Sequence, residues 1–167
     1  MLRLQVISGG QTGVDQAALR AARKCGLTTG GWAPYGYQTL DGPDESLRDY
    51  GLQECAQPGY PPRTRLNVRG ADATLRLAAN FSTSGERCTL QAIKDSKKLH
   101  LDVARRQPLL AVDVAGWIMA VAPPDRDMVL NVAGNSEDNS PGIGAWAESY
   151  LTEVFEHVQK LRLAGLG

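Results

Sequence analysis

Apolar positions along this chain fall into short continuous runs that alternate with stripes at helical spacing, and that alternation predicts the architecture. Residues 2–7, with Leu2, Leu4, Val6 and Ile7, read as a first strand. Val14, Ala17, Ala18, Ala21, Ala22 and Cys25 then recur at helical spacing, and their small side chains let a helix axis lie close to a sheet. Gly26 stands where a left-handed C-terminal cap is expected, with Leu27 as the apolar residue behind it. A second strand is expected over 28–32. Residues 33–59 keep no sustained period yet carry Tyr35 and Tyr37, which fits either an ordered lid beside a site or an irregular loop packing its own aromatics. Pro61 and Pro62 open a short helix over 61–69, and 71–77 reads as a strand. A polar turn at 80–87 leads into a helix starting at Cys88 or Thr89. Residues 109–114 read as a buried strand and 128–132 as the last one. Ser140 and Pro141 suit the start of a long helix whose face runs Ile143, Trp146, Ala147, Tyr150, Leu151, Val154, Phe155, Val158, Leu161. That face reads as core, with Trp146 as a hint of a homo-oligomer.

Strands alternating with helices predict an α/β, Rossmann-like three-layer fold, a mostly parallel sheet with helices on both faces. At 167 residues the chain reads as a single domain, 1–167, able to bury a core. In such sheets ligands bind outside the carboxyl ends of the strands. Three glycine-bearing turns (8–13, 82–89 and 131–144) fall at that edge, each before a helix, so three helix N-termini are expected to converge on one crevice.

Composition narrows the function classes. Lys+Arg and Asp+Glu are 18 each, so the basic footprint of a nucleic-acid or anionic-membrane binder is missing. Only if Arg63, Arg65, Arg69 and Arg76 shared one surface would weak nucleic-acid contact return. Without an apparent leader or an apolar run of membrane-spanning length, and with three widely spaced cysteines (Cys25, Cys55, Cys88), the chain reads as cytoplasmic. No C-x-x-C occurs and His100 and His157 lie far apart, so no zinc site is expected.

The candidate chemistry starts at Ser8-Gly9-Gly10-Gln11-Thr12-Gly13-Val14-Asp15, directly behind the first strand. Glycine lets backbone approach an anion closely, and the helix beginning near Val14 would turn its N–H groups and positive dipole end toward a phosphate. An ordinary tight turn capped by Thr12 or Asp15 is the other reading. The run is neither a dinucleotide fingerprint nor a Walker loop, since no Lys follows Gly13. Ser8 and Thr12 have no visible His–Asp partners, so their hydroxyls are assigned to phosphate oxygens. Asp15 is either an acid/base or a stabiliser of its helix start. Cys88 reads as a small buried thiol or, less simply, a reactive one. Arg87 reads as a phosphate ligand or a solvated residue.

At these residues the chain resembles a known family. S-G-G-Q-T-G-V-D-Q-A-A-L at 8–19, G-G-W at 30–32, R-T-R-L-N-V at 63–68 with A-D-A-T-L at 71–75, and L-N-V-A-G at 130–134 with S-P-G-I at 140–143 occur in the order of the molybdenum cofactor carrier proteins. That group belongs to a Rossmann-like superfamily with lysine-decarboxylase-like phosphoribohydrolases, DprA-type proteins and nucleotide-sensor domains. The resemblance covers most of residues 4–150. It implies binding of a phosphorylated small molecule, first a molybdopterin-type molybdenum cofactor carried or stored for a recipient molybdoenzyme, and second a nucleotide to be sensed or hydrolysed. The residues assigned to binding are Ser8, Gly9, Gly10, Gln11, Thr12, Gly13, Asp15, Trp32, Gly85, Thr89, Asn131, Gly134, Ser136 and Gly142. Within the second turn the chain departs from the family's Gly-Gly-Thr-type loop, and only Gly85 and Thr89 carry over. The phosphoribohydrolases place a catalytic Glu where this chain has Gln91, an amide that cannot serve as a general base, so no catalytic residue is assigned. Gly9→Asp or Gly13→Asp is expected to fill the cradle while leaving the protein folded.

Overall fold

The computed structural model describes residues 3–165, so the start of the first predicted strand, Leu2, lies outside the described residues. β1 (Leu4–Ile7) runs into the glycine loop and then α1 (Val14–Lys24). The small-residue stripe does what its spacing demands: Val14, Ala17, Ala18, Ala21 and Ala22 are all buried. α1 closes in a Schellman motif, with Gly26 at φ 69° and the Leu27 N–H donating to Ala22 O at 2.9 Å. β2 (Thr28–Ala33) follows, then later α2 (Tyr60–Gly70), β6 (Ala73–Ala78), α3 (Ser84–Ser96), β8 (Met128–Gly134) and α5 (Ile143–Leu163).

The 33–59 segment is ordered and contributes to the fold. It holds two short 3-10 turns (Tyr35–Tyr37 and Glu45–Tyr50), a small hairpin of β3 (Gln38–Thr39) and β4 (Gly42–Pro43), and an edge strand β5 (Leu52–Glu54). Leu19, Ala33, Tyr37, Leu47 and Leu52 make a small core beneath it.

Two predicted elements need correction. Residues 109–114 are no strand: α4 (Ala111–Val121) begins there, burying Ala111, Val114, Ala115 and Ile118 at helical spacing. The strand lies earlier, as β7 (Leu99–Ala104). This is a sheet edge with only Val103 buried, so it lacks the apolar run that marks the inner strands. α3 also starts four residues before Cys88, because Thr83 caps it by accepting the Glu86 N–H.

All six sheet strands are parallel, in the order β5-β2-β1-β8-β6-β7, and helices cover both faces in a Rossmann-like α/β fold. Alternation along each strand separates the faces. Leu4, Val6, Leu75, Leu77, Leu130 and Val132 pack with α1, α4 and α5 into the main core. Residues of opposite parity, Thr74, Arg76 and Asn131, are also buried but polar, and Arg76 meets α3. Trp146 stacks on Tyr150 at 5.4 Å and packs against the main core, in keeping with the core reading of that helix face. Among the described residues no helix is long and apolar enough to cross a membrane.

Candidate functional site

A pocket of about 310 Å³ opens where β1, β6 and β8 end. Gln11 and Asp15 border it from the first loop, Thr83, Ser84, Gly85, Glu86, Cys88 and Thr89 from the start of α3, and Ala133–Ser136 from the end of β8. Tyr60, Pro61, Arg63 and Thr64 of α2 and Leu40 of the hairpin make its other walls. Its place at the carboxyl ends of central strands is where open α/β sheets hold ligands, and its size falls at the lower end of ordinary ligand sites.

The glycine loop is built differently from the expected open cradle. Its N–H groups turn inward onto the chain's own Asp15: Gln11 N–H donates to the carboxylate at 3.3 Å, and the Gly9 N–H also supports it. Ser8 Oγ donates to Asp15 O at 2.9 Å and accepts the Gly10 N–H. The Thr12 N–H is taken by Gln11 Oε1, which also accepts the Leu40 N–H, tying the loop to the hairpin wall. Each glycine admits a neighbour. The Arg63 guanidinium lies over Gly9, Leu47 and Leu52 over Gly10 (φ 73°), and the 135–137 backbone over Gly13 (φ 89°).

That last contact also changes the picture of converging helix ends. The Val14 N–H donates to Asn135 O, so main chain covers the start of α1. α5 is capped by the Glu137 carboxylate, which accepts the Gly142 and Gly144 N–H groups and is held below its usual range by them. Ser140, predicted as that cap, gives no side-chain cap. Of the three helix starts only that of α3 opens on the pocket, through Ser84 and Gly85.

The assigned residues therefore divide. Gln11, Asp15, Gly85, Thr89, Gly134 and Ser136 line the pocket. Ser8, Gly9, Gly10, Thr12 and Gly13 form the layer beneath it. Trp32 engages Asn67 through its main chain, Asn131 is buried in the sheet against Thr74 Oγ1, and Gly142 sits at the start of α5. Arg87 is exposed and donates to Ser82 O. The arginines form no strip: Arg63 lines the pocket, Arg76 is buried, and Arg65 and Arg69 are exposed.

Two charged clusters that the motif alone does not single out meet the pocket, one through Glu86 and the other through Arg63 and Asp15. Arg76, nearly fully buried on β6, donates two hydrogen bonds to Asp102 (2.8 and 2.6 Å) and one to Glu86 O. Its guanidinium also lies 3.5 Å from the Glu86 carboxylate. A charge inside an apolar strand demands such partners, so Arg76 in A-D-A-T-L-R-L-A is the signal for them. Thr83-Ser84-Gly85-Glu86 has the form of a capping box, but the Glu86 carboxyl points to Arg76. Arg63 stands 3.7 Å from Asp15, whose carboxyl burial pushes up against the pull of that cation.

Burial likewise pushes Glu86 up to about 7, with Arg76 opposing and Asp15 adding to the rise. An acid whose proton is held more tightly in the folded state stabilises it at low pH. The contribution is complete below the ordinary value of 4.5 and is lost as pH rises through 7. It amounts to on the order of 3 kcal/mol. Glu86→Gln is therefore expected to melt above the wild type at pH 8 and to lose that advantage at pH 5, which thermal melts across the range would measure. Parallel melting curves at the two pH values would contradict the assignment.

Comparison with known proteins bears on the same architecture. The model of the circularly permutated YpsA SLOG family matches residues 6–155. A solved structure from Syntrophus aciditrophicus SB, described as a putative molybdenum carrier protein, is similar at 33% identity with a TM-score of 0.77. The match covers 90% of this chain and 93% of that one. No curated protein matches the chain.

Proposed function

The chain belongs to the circularly permutated YpsA SLOG family, and from that premise we propose that it binds a phosphorylated small molecule in the pocket at the strand ends. The reading is a carrier or storage protein for a molybdopterin-type molybdenum cofactor, acting in the cytoplasm and handing its cargo to a recipient molybdoenzyme. What carries it is the pairing of Arg63 with the start of α3 on one pocket, above a glycine loop whose Gly10, Gln11 and Thr12 N–H groups are taken by the chain's own side chains. Arg63 Nε is buried and without a hydrogen-bond partner, which suits a group awaiting an anion. Arg63 and the Ser84 and Gly85 N–H groups would hold the phosphate, and Tyr60 and Leu40 would flank the rings. The cofactor brings its own molybdenum chemistry, and the chain's part is to bind it and shield it from water. The likeness to a protein described as a molybdenum carrier supports this ligand ahead of others.

Two buried carboxylates on the pocket, Asp15 and Glu86, favour a second reading, a nucleotide sensor or nucleotide-processing hydrolase. Gln91, at the position of the hydrolases' acid, is exposed and donates to Asp95, whereas Glu86 borders the pocket.

Native mass spectrometry of protein from a cofactor-producing host, followed by denaturation, separates the readings. A released molybdopterin-type molecule is expected. An intact nucleotide would move the assignment to a sensor, and a cleaved one to the hydrolase. With the ligand in hand, Arg63→Met should weaken binding about tenfold or more, the value of a lost charged hydrogen bond. Gly9→Ala should do the same with little loss of fold, because its Cβ would displace only the guanidinium of a flexible side chain. Unchanged affinity in both variants would move the anion elsewhere.

A further inference from the structure

Among the described residues the sheet ends at β7 in an edge that no strand pairs. Arg105 N–H donates to Ala78 O, so by alternation Leu101 and Val103 turn their main-chain groups toward β6, and His100, Asp102 and Ala104 turn theirs outward. At the two ends of the edge these groups are used: Lys98 N–H donates to Ile93 O, and Gln107 N–H donates to Ala104 O. His100 and Asp102 remain, each with an N–H and a C=O that have no main-chain partner. Their exposed side chains share one face, with His100 Nε2 4.0 Å from Asp102 Oδ1. The other face of this edge is apolar. Leu99 is 57% exposed, and α4, which packs on α5 as the outermost helix of that layer, carries one charge, Asp113. Val112, Gly116 and Ala120 stand exposed along α4 at steps of four, although a helix apolar all round is ordinarily buried.

We propose that β7 pairs antiparallel with β7 of a second copy of this chain across a two-fold axis at Leu101, joining two six-stranded sheets into one. A two-fold axis either sets His100 or Asp102 against itself or sets the two against each other. An axis at Asp102 opposes two carboxylates. An axis at His100 opposes two imidazoles and reaches for the Lys98 N–H already given to Ile93 O. The axis at Leu101 sets His100 against the partner's Asp102 and Asp102 against the partner's His100, each pair exchanging two main-chain hydrogen bonds. Every free main-chain group of the two residues is then used. In the same register Leu99 crosses to the partner's Val103, and the two α4 helices lie on one face of the joined sheet, either side of the axis. Asp102 also holds Arg76, the cation behind Glu86, which links the axis to the pocket wall.

The test is sedimentation equilibrium of the full chain, with circular dichroism to confirm the fold of each variant. The wild type is expected at twice the mass of one chain at about 10–100 μM. His100→Asp sets carboxylate against carboxylate in both pairs and should weaken the dimer about tenfold or more. His100→Lys returns a cation opposite Asp102 and should keep the affinity within about threefold. At Gly116 a Cβ meets no atom within 4 Å, so Gly116→Arg leaves the single chain's packing alone and should also dissociate the dimer. A monomeric wild type overturns the second copy and leaves the edge to a strand of another protein. A dimer unmoved by both His100→Asp and Gly116→Arg places the contact on another face. Equal weakening by His100→Asp and His100→Lys removes the charge pairing that sets the register. Either result overturns the proposal.

Discussion

Gly13→Asp is expected to unfold the protein. The sequence alone suggests a cradle filled by the new side chain, but Gly13 holds φ 89°, a conformation that side-chain-bearing residues pay to adopt, at about 1–3 kcal/mol. A Cβ there would also collide with Asn135 O, and lie 2.7 Å from Glu137 N and 2.8 Å from Ser136 C. These are backbone atoms that cannot swing away, and overpacking of this kind adds about 1–3 kcal/mol. The carboxylate would further be forced against a carbonyl. A loss of about 4 kcal/mol or more takes most of the stability of an ordinary domain. Gly13→Ala should show the backbone part alone, lowering the melting temperature by about 5–20 °C at the usual scale for this chain length. A wild-type melt for Gly13→Ala would mean that the 135–137 segment gives way easily. Gly9 differs because its neighbour is a side chain, so the two glycines of one motif separate folding from binding.

Arg76→Met is the second large effect. Arg76 is compensated by Asp102 and Glu86 and lies under the Phe81 ring at 5.1 Å. Removing one partner of a buried charge group leaves the others uncompensated, at about 3–5 kcal/mol. The loss has a predictable sign with pH. Without the cation, burial acts on Glu86 unopposed and its proton is held more tightly still, so destabilisation grows from pH 5 to pH 8. Glu86→Gln in the same chain should restore part of the loss at pH 8. Denaturant titrations at both pH values would read this, and a loss independent of pH would show that Glu86 and Arg76 are not coupled.

Most of the fold is legible where burial imposes a period. The α1 stripe, the inner strands and α5 announce themselves because one face of each is apolar throughout. β7 does not, since Leu99, His100, Asp102 and Ala104 are exposed at the sheet edge and no alternation survives. The run at 109–114 misleads in the opposite sense. Its continuous apolarity looks like a buried strand, while the deciding signal, Ala111, Val114, Ala115 and Ile118 at steps of three and four, extends past it. In the site the glycine motif is legible but not the reason for each glycine, which depends on what lies opposite: an arginine, two leucines and a stretch of backbone. Glu86 is hidden by its neighbours in sequence, Gly85 and Arg87, both exposed; only Arg76, on the preceding strand and ten residues away in chain, reveals it.

The Asp15 carboxylate nested in the glycine loop has a consequence for selectivity in a phosphate-rich solution. A carboxylate held by its own chain faces those N–H groups at an effective concentration that dissolved inorganic phosphate cannot match. The loop therefore stays closed to small free anions. Under the proposed function, only a molecule that also gains from the walls and floor of the pocket would compete, and the tethered aspartate would act as an entry threshold that sorts ligands by size.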